Sequence, residues 1–340
     1  MLFIRKIMIM LAVLGMVAAL SSCGSSPKKI KVLILPKFEI GEMKDDMPGE
    51  AQLYYEQYLD GAEEYEIPGG YKDNKLYVKD DVALYVTGES KVGSALSLAA
   101  ILNDERFDYK DAYVISTGCA GSAVETSVMG DVFIVTATVD YDLGHHADSR
   151  DLSGDDETTW FHDGNWDDIS FKILNQDLTD QAYNLVRDTE LETTPKTRMA
   201  MQKEFENAEW AGRDPKVVKG TAVTGDNYWK GYYDEANARL ISETYQCPDP
   251  YAVTEMEDNA LAVALERFDM LDRFLVIRCS VDMDVFMNGM TPEKLWKEQG
   301  DTDLSDEENE ESAGIFETAM YNNFKVGRQV IDALRSGEIR

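Results

Sequence analysis

Residues 251–284 read YAVTEMEDNALAVALERFDMLDRFLVIRCSVDMD, and this stretch decides the fold because a helix and a buried strand follow each other within it. Apolar residues recur at helical spacing around residues 257–268, namely Met256, Ala260, Leu261, Ala264 and Phe268. The apolar run Phe274–Ile277 then predicts a buried strand, and Asp282 and Asp284 follow it in a predicted turn. A helix that leads directly into a buried strand is typical of an α/β sheet.

The acids of this stretch are expected to have a partner or a ligand, because burying a carboxylate without one costs several kcal/mol. Glu255 and Glu257 can accept hydrogen bonds from two hydroxyls of a sugar, or they can be first-turn acids that the helix dipole favours. Spacing leaves both interpretations open. Asp282 can be a general acid that burial keeps protonated, or it can cap a turn. Asp284 carries the same two interpretations.

Outward from this stretch, β-rich runs alternate with helical periods, which predicts one α/β domain over residues 31–340 with helices on both faces of the sheet. Two insertions are expected, a loop rich in Asp, Gly and Trp near 146–170 and an acidic surface loop near 299–311. The predicted strands are Lys31–Leu35, Leu76–Val78, Val82–Val86, Tyr113–Ser116, Asp131–Val139 and Lys216–Val223, and the predicted helices start at Lys91 or cover 172–188, Asp234–Tyr245 and Ile315–Leu334.

Polar turns follow several predicted strands, and ligands in open α/β sheets bind at the carboxyl ends of strands. The turn Thr87-Gly88-Glu89-Ser90 leads into a helix N-terminus, where backbone N–H groups favour a polar oxygen. Glycines at 118 and 121, on either side of Cys119, allow a ligand to approach the backbone closely. Loop aromatics can sandwich a planar base or close the core; they include Tyr141, Trp160, Phe161, Tyr228 and Trp229.

The first residues read as a secretory signal. Residues 1–22 combine a short basic start with an apolar run, and Cys23 follows in a context that resembles the lipobox of bacterial lipoproteins. The expectation is therefore a signal peptide over 1–22, lipidation at Cys23 and a tether over 23–30. The protein would be exported and anchored to a bacterial membrane by lipid, facing the periplasm or the cell surface.

The composition excludes several classes of function. A net charge of −31 repels nucleic acid, and 44% hydrophobic residues indicate a real core rather than disorder. No second apolar span of membrane length follows the signal, so the chain alone cannot be a channel or carrier. The remaining cysteines, Cys119, Cys247 and Cys279, lack the spacing of a disulfide framework or zinc cluster. Three histidines lack metal-ligand spacing, so no metal is expected.

An ordered set of motifs resembles the purine nucleoside permease family, which is itself similar to the nucleoside phosphorylases and the methylthioadenosine nucleosidases. The resemblance covers roughly residues 30–335. It implies a phosphorylase-like three-layer fold, in which helices flank a mixed, partly closed β-sheet. The motifs are Val86-Thr87-Gly88-Glu89-Ser90, Gly118-Cys119-Ala120-Gly121, Gly130-Asp131-Val132, Thr224-Gly225-Asp226 and Glu255-Met256-Glu257.

The resemblance also implies a site for a purine nucleoside. Glu257 would hold the ribose hydroxyls with Met256 under the sugar, and Asp282 would protonate or hydrogen-bond the purine ring. Gly118 and Gly121 would lie along the nucleoside. The remaining binding candidates are Thr87, Gly88, Ser90, Cys119, Tyr141 and Tyr228.

The first strand departs from the family pattern, because it ends in Pro36-Lys37-Phe38-Glu39 instead of a glycine-led loop. Glu39 or Glu42 would activate water in its place. The acid of the Thr-Gly-Glu-Ser turn would repel phosphate where water is excluded, so phosphate is a disfavoured co-substrate and no cofactor is expected. Hydrolysis of the N-glycosidic bond is favoured over phosphorolysis. The alternative is a non-catalytic nucleoside-binding lipoprotein that assists a separate transporter. The sequence leaves open whether the protein forms homo-oligomers.

Overall fold

The computed structural model describes residues 26–148, 158–205, 208–285, 291 and 306–340. The strands are β1 (Lys28–Lys29), β2 (Val32–Leu35), β3 (Glu63–Glu66), β4 (Lys75–Lys79), β5 (Val82–Leu84), β6 (Phe107–Asp108), β7 (Tyr113–Ser122), β8 (Val132–Asp140), β9 (His145–His146), β10 (Trp160–Phe161), β11 (Phe171–Ile173), β12 (Val217–Thr224), β13 (Tyr251–Glu255) and β14 (Phe274–Met283). The helices are α1 (Gln52–Tyr58), α2 (Lys91–Leu102), α3 (Asp167–Ser170), α4 (Gln176–Val186), α5 (Pro195–Glu204), α6 (Tyr232–Thr244), α7 (Asp258–Arg267) and α8 (Asp306–Ser336).

Five strands close into a barrel. They follow the order β8, β12, β13, β7 and β14, and β14 returns to β8. β14 runs parallel to β7 from the pair Phe274 and Val114 onward, and antiparallel to β8 around the pair Ile277 and Ile134. Closure removes the free edges that these strands would otherwise expose.

Further strands extend the sheet beyond the barrel and leave it open at this side. β2 pairs in parallel with β7 and with β5, and the antiparallel strands β4 and β3 continue beyond β5. β11 adds an antiparallel edge on β8. The mixed, partly closed sheet that the resemblance implies is therefore confirmed.

Strand alternation divides the core between two helical layers, because successive side chains of a strand point to opposite faces. In β2, Leu33 packs into a cluster with Leu98 of α2 and Leu261 of α7. The next residue, Ile34, packs into a second cluster with helices α4 and α8, which includes Val330. The expected three layers are confirmed.

Several strands are longer than the local sequence predicts. β7 continues to Ser122 rather than ending at Ser116, and β14 continues to Met283, so that Asp282 lies within a strand instead of a turn. The two strands pair along this whole length, with a register shift between Ser280 and Asp282. The preceding strand, β13, covers residues for which the sequence predicted no strand, and it ends at Glu255, just before the predicted helix. Pairing with distant strands outweighs local propensity at these positions.

The expected boundaries change at both ends. β1 pairs with β6 and Ile30 is fully buried, so the fold starts inside the predicted tether 23–30. Residues 306–311 belong to α8 rather than to the predicted acidic loop 299–311, and acids at a helix start are favoured by the dipole. The rest of that loop, residues 149–157 of the other insertion, the signal 1–22 and Cys23 lie outside the described residues. No helix within the described ranges is long and apolar enough to cross a membrane.

Candidate functional site

A cavity of about 230 Å³ lies where β2, β7, β12, β13 and β14 end. Strands of the barrel that run in opposite directions meet here, because Gly121 near the end of β7 pairs with Thr254 near the end of β13. The lining is rich in carboxylates and contains two cations, and its polar members are Lys37, Glu50, Glu89, Asn227, Tyr228, Thr254, Glu255, Glu257, Arg278, Asp282 and Asp284.

One wall is a buried charge group, the Arg278 cluster, formed by Arg278 with Glu255, Glu257 and Asp258. Arg278 is only 1% exposed. Its Nε donates to Asp258 Oδ2 at 2.8 Å, and its Nη2 donates to Glu257 Oε2 at 3.0 Å and to Glu255 Oε2 at 3.2 Å. A guanidinium shared among carboxylates repays part of the cost of burying them, so the cluster fixes the geometry of this wall.

Glu255 organises the helix start. Its Oε2 accepts the N–H groups of Glu257 and Asp258, each at 2.6 Å, and its Oε1 accepts the hydroxyl of Thr224. Burial, followed by the charge of Asp258, raises the pKa of Glu255 to about 8. Of the two interpretations of the Glu-Met-Glu triplet, the first-turn role therefore fits Glu255.

Glu257 faces the cavity from the same wall. Its Oε1 accepts the backbone N–H of Ser90 at 3.1 Å, while Oε2 is held by Arg278. Burial raises the pKa of this carboxyl, and the nearby cations Arg278 and Lys37 act in the opposite direction. Met256 lines the cavity beside it and stays partly exposed. The structure thus brings the fixed carboxylate of Glu257 and the apolar side chain of Met256 together in the lining.

Glu50 is a lining residue that the sequence did not single out. Its Oε2 accepts the N–H of Lys37 and its Oε1 accepts the N–H of Cys119, each at 2.7 Å. Gly118 makes room for it, because a Cβ on Gly118 would lie 2.1 Å from Glu50 Oε1, and the backbone φ of +153° suits glycine. The available signal was an acid directly after a Pro-Gly turn and before the buried start of α1.

Two cations were also missed. Arg278 was not among the predicted site residues, but it reaches the cavity from β14. A lone arginine inside the apolar run FLVIRCSV was a usable signal, since a buried charge needs partners. The ammonium of Lys37 donates to Leu35 O at 2.6 Å and to Ser116 Oγ at 2.7 Å. Burial, and next the charge of Arg278, lowers the pKa of Lys37.

A second part of the lining, the second wall, carries the aspartate pair, Asp282 and Asp284. Asp282 Oδ2 accepts the hydroxyl of Tyr228 at 2.8 Å and lies 3.4 Å from Lys230 Nζ. Asp284 is 3% exposed and accepts the hydroxyl of Thr254 at 2.6 Å. Burial, followed by the charge of Asp282, raises the pKa of Asp284 to about 7.

The remaining predicted binding residues divide into two groups. Cys119, Gly121 and Tyr228 line the cavity beside Met256 and Glu257. The other predicted residues do not line the cavity but contact residues around it. Thr87 Oγ1 lies 3.3 Å from Ser94 Oγ, and the ring of Tyr71 packs over Gly88. Ser90 caps α2 and its N–H binds Glu257, Gly118 leaves room for Glu50, and Tyr141 stacks on Trp229 with 5.1 Å between ring centroids.

The predicted water-activating residues, Glu39 and Glu42, do not line this cavity. Glu39 accepts the N–H groups of Gly49, Ala51 (2.8 Å) and Gln52 (2.6 Å), so it caps the start of α1. The helix dipole and unpaired N–H groups stabilise its charge there. Glu42 is exposed on the loop beyond. Among the described residues, no group of His, Cys, Asp and Glu is arranged to hold a metal ion.

Comparison with known proteins gives relatives of two kinds. A probable purine nucleoside permease of Schizosaccharomyces pombe is 28% identical over 240 residues, which cover 62% of this chain and 68% of that protein. The purine nucleoside permease of Candida albicans is 26% identical over 251 residues, which cover 66% of this chain and 60% of that protein. A 5′-methylthioadenosine/S-adenosylhomocysteine nucleosidase of Bacillus pumilus is 27% identical over 228 residues, covering 66% of this chain and 78% of the enzyme.

Solved structures share the fold. The nucleosidase of Streptococcus pneumoniae in complex with 8-aminoadenine has a TM-score of 0.54 at 18% identity, with 89% of this chain and 100% of that chain covered. The nucleosidase of Neisseria meningitidis in complex with methylthio-immucillin-A has a TM-score of 0.51 at 16% identity, covering 89% and 99%. The family model described as purine nucleoside permease matches residues 29–337. The chain therefore belongs to the purine nucleoside permease family.

Proposed function

We propose that the protein binds a purine nucleoside in this cavity and hydrolyses its N-glycosidic bond. One observation carries the proposal: the Arg278 cluster holds the buried carboxylate of Glu257 on one wall, and the aspartate pair stands on the other. A sugar needs acceptors for its hydroxyls, and a departing base needs hydrogen bonds as negative charge develops on it. The two walls supply these groups within one cavity.

The ribose would lie against Glu257. An ionised carboxylate only accepts hydrogen bonds, and vicinal hydroxyls donate them. Arg278 and the Ser90 N–H fix this carboxylate before any ligand binds, so little reorganisation is needed as the sugar becomes positively charged. Met256 offers an apolar surface to the sugar face. Asp282 would stand at the purine ring.

Glu50 replaces Glu39 and Glu42 as the proposed general base. Each oxygen of Glu50 accepts one backbone N–H and keeps a lone pair for water. Glu50 would take a proton from the water that attacks C1′, while the bond from C1′ to N9 breaks and its electrons pass to the base. Glu39 is unsuited to this role because backbone N–H groups at the start of α1 occupy its carboxylate.

The charges of the cavity support hydrolysis over phosphorolysis. The side-chain donors of Lys37 and Arg278 point to partners within the protein. Several carboxylates face the same space, among them Glu50 and Glu257. Among the described residues that line this space, both cations are bound to protein partners, so a phosphate dianion would meet mainly carboxylates. Like charges repel strongly in a partly dry site. Phosphate is therefore a poor co-substrate for this cavity.

The relatives support the chemistry. Proteins named as nucleosidases share this fold, and two of them are solved with an adenine derivative or an immucillin analogue bound. The decisive experiment incubates purified protein with adenosine or inosine, with and without phosphate, and separates the products by chromatography. We expect free base and free ribose at equal rates in both conditions. If no free base forms in any condition, the protein does not cleave nucleosides. If ribose 1-phosphate forms in the presence of phosphate, the reaction is phosphorolysis and not hydrolysis.

A matched variant assigns the activity to this cavity. Glu257→Gln keeps the size of the side chain but weakens its acceptor strength toward hydroxyls, so kcat/KM is expected to fall about 100-fold or more. Glu42→Gln alters an exposed carboxyl outside the cavity and is expected to leave kcat/KM unchanged. Equal kcat/KM values for the two variants would show that the reaction takes place outside this cavity.

The names of the sequence relatives favour a second function. The Schizosaccharomyces pombe and Candida albicans proteins are named permeases, so the chain could bind a nucleoside without turnover and assist a separate transporter. Isothermal titration with adenosine separates the alternatives. Stable binding heat with no base released supports the binding protein, whereas a signal that decays as base accumulates supports the enzyme.

We also propose that the protein is exported and lipid-anchored through Cys23, as its first residues predict. Labelling cells with a radioactive fatty acid is expected to label the full chain but not its Cys23→Ser variant. A full chain that carries no label, and that fractionates with the soluble proteins, would contradict the anchor.

A further inference from the structure

Lys37 is a buried lysine at the candidate site. It follows β2 directly after Pro36 and is only 2% exposed, yet it belongs to the lining of the cavity. A lysine is almost never buried to this degree unless its charge has partners. The proposed reaction uses Glu50, Glu257 and Arg278 but leaves Lys37 without a role.

The hydrogen bonds of Lys37 fit an ammonium group. Its Nζ donates to Leu35 O at 2.6 Å and to Ser116 Oγ at 2.7 Å, and a longer bond of 3.4 Å reaches Thr117 O. The two carbonyl oxygens only accept, and the Ser116 hydroxyl gives its own proton to Asp258 Oδ1. Three acceptors around one nitrogen require three N–H groups, which only the charged form of lysine has. All three N–H groups point to neutral oxygens, so no directly bonded carboxylate neutralises the ammonium.

Lys37 connects the proposed base to the Arg278 cluster. Its backbone N–H donates to Glu50 Oε2 at 2.7 Å. Its ammonium reaches the cluster through Ser116, because the hydroxyl that accepts from Lys37 donates to Asp258. Asp258 Oδ1 in turn accepts from Nη2 of Arg278 at 2.9 Å. One residue is thus bonded to Glu50 through its backbone and linked to the Arg278 cluster through its side chain.

The charged groups around Lys37 come from three other parts of the chain. They are Arg278 on β14, Glu257 and Asp258 at the start of α7, and Glu50 before α1. Burial, and next the charge of Arg278, lowers the pKa of Lys37, whereas the carboxyls act in the opposite direction. Burial raises the pKa of Glu257, and the charges of Arg278 and Lys37 lower it. The carboxyls of Glu50 and Asp258 act on Glu257 in the same direction as burial.

We propose that Lys37 is a positioning residue whose buried ammonium keeps Glu257 ionised, so that this carboxylate can accept the ribose hydroxyls. If the charge of Lys37 is lost, Glu257 binds a proton more readily, and a protonated carboxyl has one acceptor oxygen fewer for the hydroxyls. The inference rests on the proposed nucleoside site and adds to it a residue that acts through Glu257.

The direction of the pH dependence follows from Glu257. Its carboxyl has to be ionised to accept hydroxyls, so kcat/KM rises as the pH rises through the pKa of Glu257. Removal of a nearby positive charge raises the pKa of a carboxyl. A variant without the ammonium therefore reaches full activity only at higher pH, and its loss of activity is reversed by alkali. A loss of activity that is caused by misfolding is not reversed in this way.

The main experiment compares Lys37→Met with the wild type at a series of pH values from acid to alkaline. It measures kcat/KM for adenosine and, by calorimetry, the affinity for adenosine. Methionine has nearly the length of lysine but no charge. We expect the acid limb of both profiles to move to higher pH by about one pH unit or more, so that kcat/KM on this limb falls about 10-fold or more. At alkaline pH kcat is expected to return toward the wild-type value, because the backbone bond to Glu50 remains.

A second buried lysine provides the matched control. Lys172 is 8% exposed, and its ammonium binds Asp168 O and Glu266 away from the cavity lining. Lys172→Met therefore also removes a buried ammonium. It is expected to leave the acid limb in place, whatever it does to the midpoint of thermal unfolding.

A further experiment restores the charge without the side chain. Lys37→Ala is purified in the presence of propylammonium, which has the length and charge of the missing segment, and 1-butanol serves as a neutral molecule of similar size. We expect propylammonium to return the acid limb to lower pH in a saturable manner and 1-butanol to leave it unchanged. Lys37→Arg retains a positive charge and is expected to keep the acid limb within about half a pH unit of the wild type.

The outcomes separate this inference from the proposed function. An unchanged acid limb in folded Lys37→Met, or equal rescue of Lys37→Ala by propylammonium and 1-butanol, overturns the role of Lys37 and leaves nucleoside cleavage in place. If the wild type binds adenosine without turnover, the calorimetric profiles decide by the same criterion. If the wild type neither binds nor cleaves adenosine at any pH, the role of Lys37 is removed together with the proposed function.

Discussion

The two walls of the cavity differ in how they hold their charges. In the Arg278 cluster, every member is buried and each carboxylate accepts at least two hydrogen bonds from the protein. The aspartate pair is half open, since Asp282 is partly exposed and one of its partners, Tyr228, is 64% exposed. One wall is thus part of the core and rigid before a ligand arrives, whereas the other can exchange its partners for a ligand.

The largest expected effect breaks the rigid wall. Arg278→Met leaves three buried carboxyl groups without their shared cation, and removing one partner of a buried charge group costs about 3–5 kcal/mol. Chemical denaturation is expected to show this loss of unfolding free energy, together with complete loss of nucleoside cleavage. Arg187→Met is the control, because its pair with Asp188 is exposed and worth less than about 1 kcal/mol. Equal losses in the two variants would contradict the rigid wall.

A smaller effect is expected between the walls, at the proposed general base. Glu50→Gln keeps the shape of the side chain but removes its basicity, so kcat is expected to fall about 100-fold or more while KM changes little. Stopped assays with adenosine measure both constants. An unchanged kcat with a raised KM would show that Glu50 only binds the ligand.

Glu39 tests whether an acid just outside the cavity affects stability alone. Glu39→Gln weakens the charged cap at the start of α1, and loss of such a cap costs about 1 kcal/mol. We expect a lower midpoint of thermal unfolding and an unchanged kcat. A loss of kcat comparable to that of Glu50→Gln would return the water-activating role to Glu39.

The smallest effect is expected at the open wall. Tyr228→Phe removes one hydrogen bond to Asp282, and water can replace it because Tyr228 is exposed. A net hydrogen bond contributes about 0.5–1.5 kcal/mol, so kcat/KM is expected to fall less than about 10-fold, with no change in unfolding free energy. A loss of unfolding free energy as large as that of Arg278→Met would contradict the view that this wall is open and the Arg278 cluster is part of the core.

Sequence reasoning identified the fold well where signals are local. The periods of α2 and α7 and the apolar runs of β2 and β14 are visible in the residues themselves. The extensions of β7 and β14 were not visible, because their ends are strands only through pairing with each other. Local turn signals such as Thr-Gly-Cys-Ala-Gly were outweighed by that pairing.

The residues of the candidate site likewise divide into those that the sequence predicted and those that it missed. Glu257, Met256 and Asp282 line the cavity, and the resemblance to the family indicated them in advance. Glu50, Lys37 and Arg278 were missed because their partners are distant in sequence: Glu50 accepts from Lys37 and Cys119, and Arg278 binds acids on another element. Asp284, for which the sequence left a general acid and a turn acid open, lines the cavity because the strand continues past its predicted end.

Closure of the barrel by β14 also has a consequence for folding. β14 pairs with β7, which lies some 160 residues earlier in the chain and contributes Cys119 and Gly121 to the cavity. Arg278, Asp282 and Asp284 all come from this last strand or its end. Contacts between such distant segments form late and slowly. A chain that stops folding before β14 docks therefore has neither wall of the cavity complete, so partly folded molecules should carry no weakened form of the proposed activity.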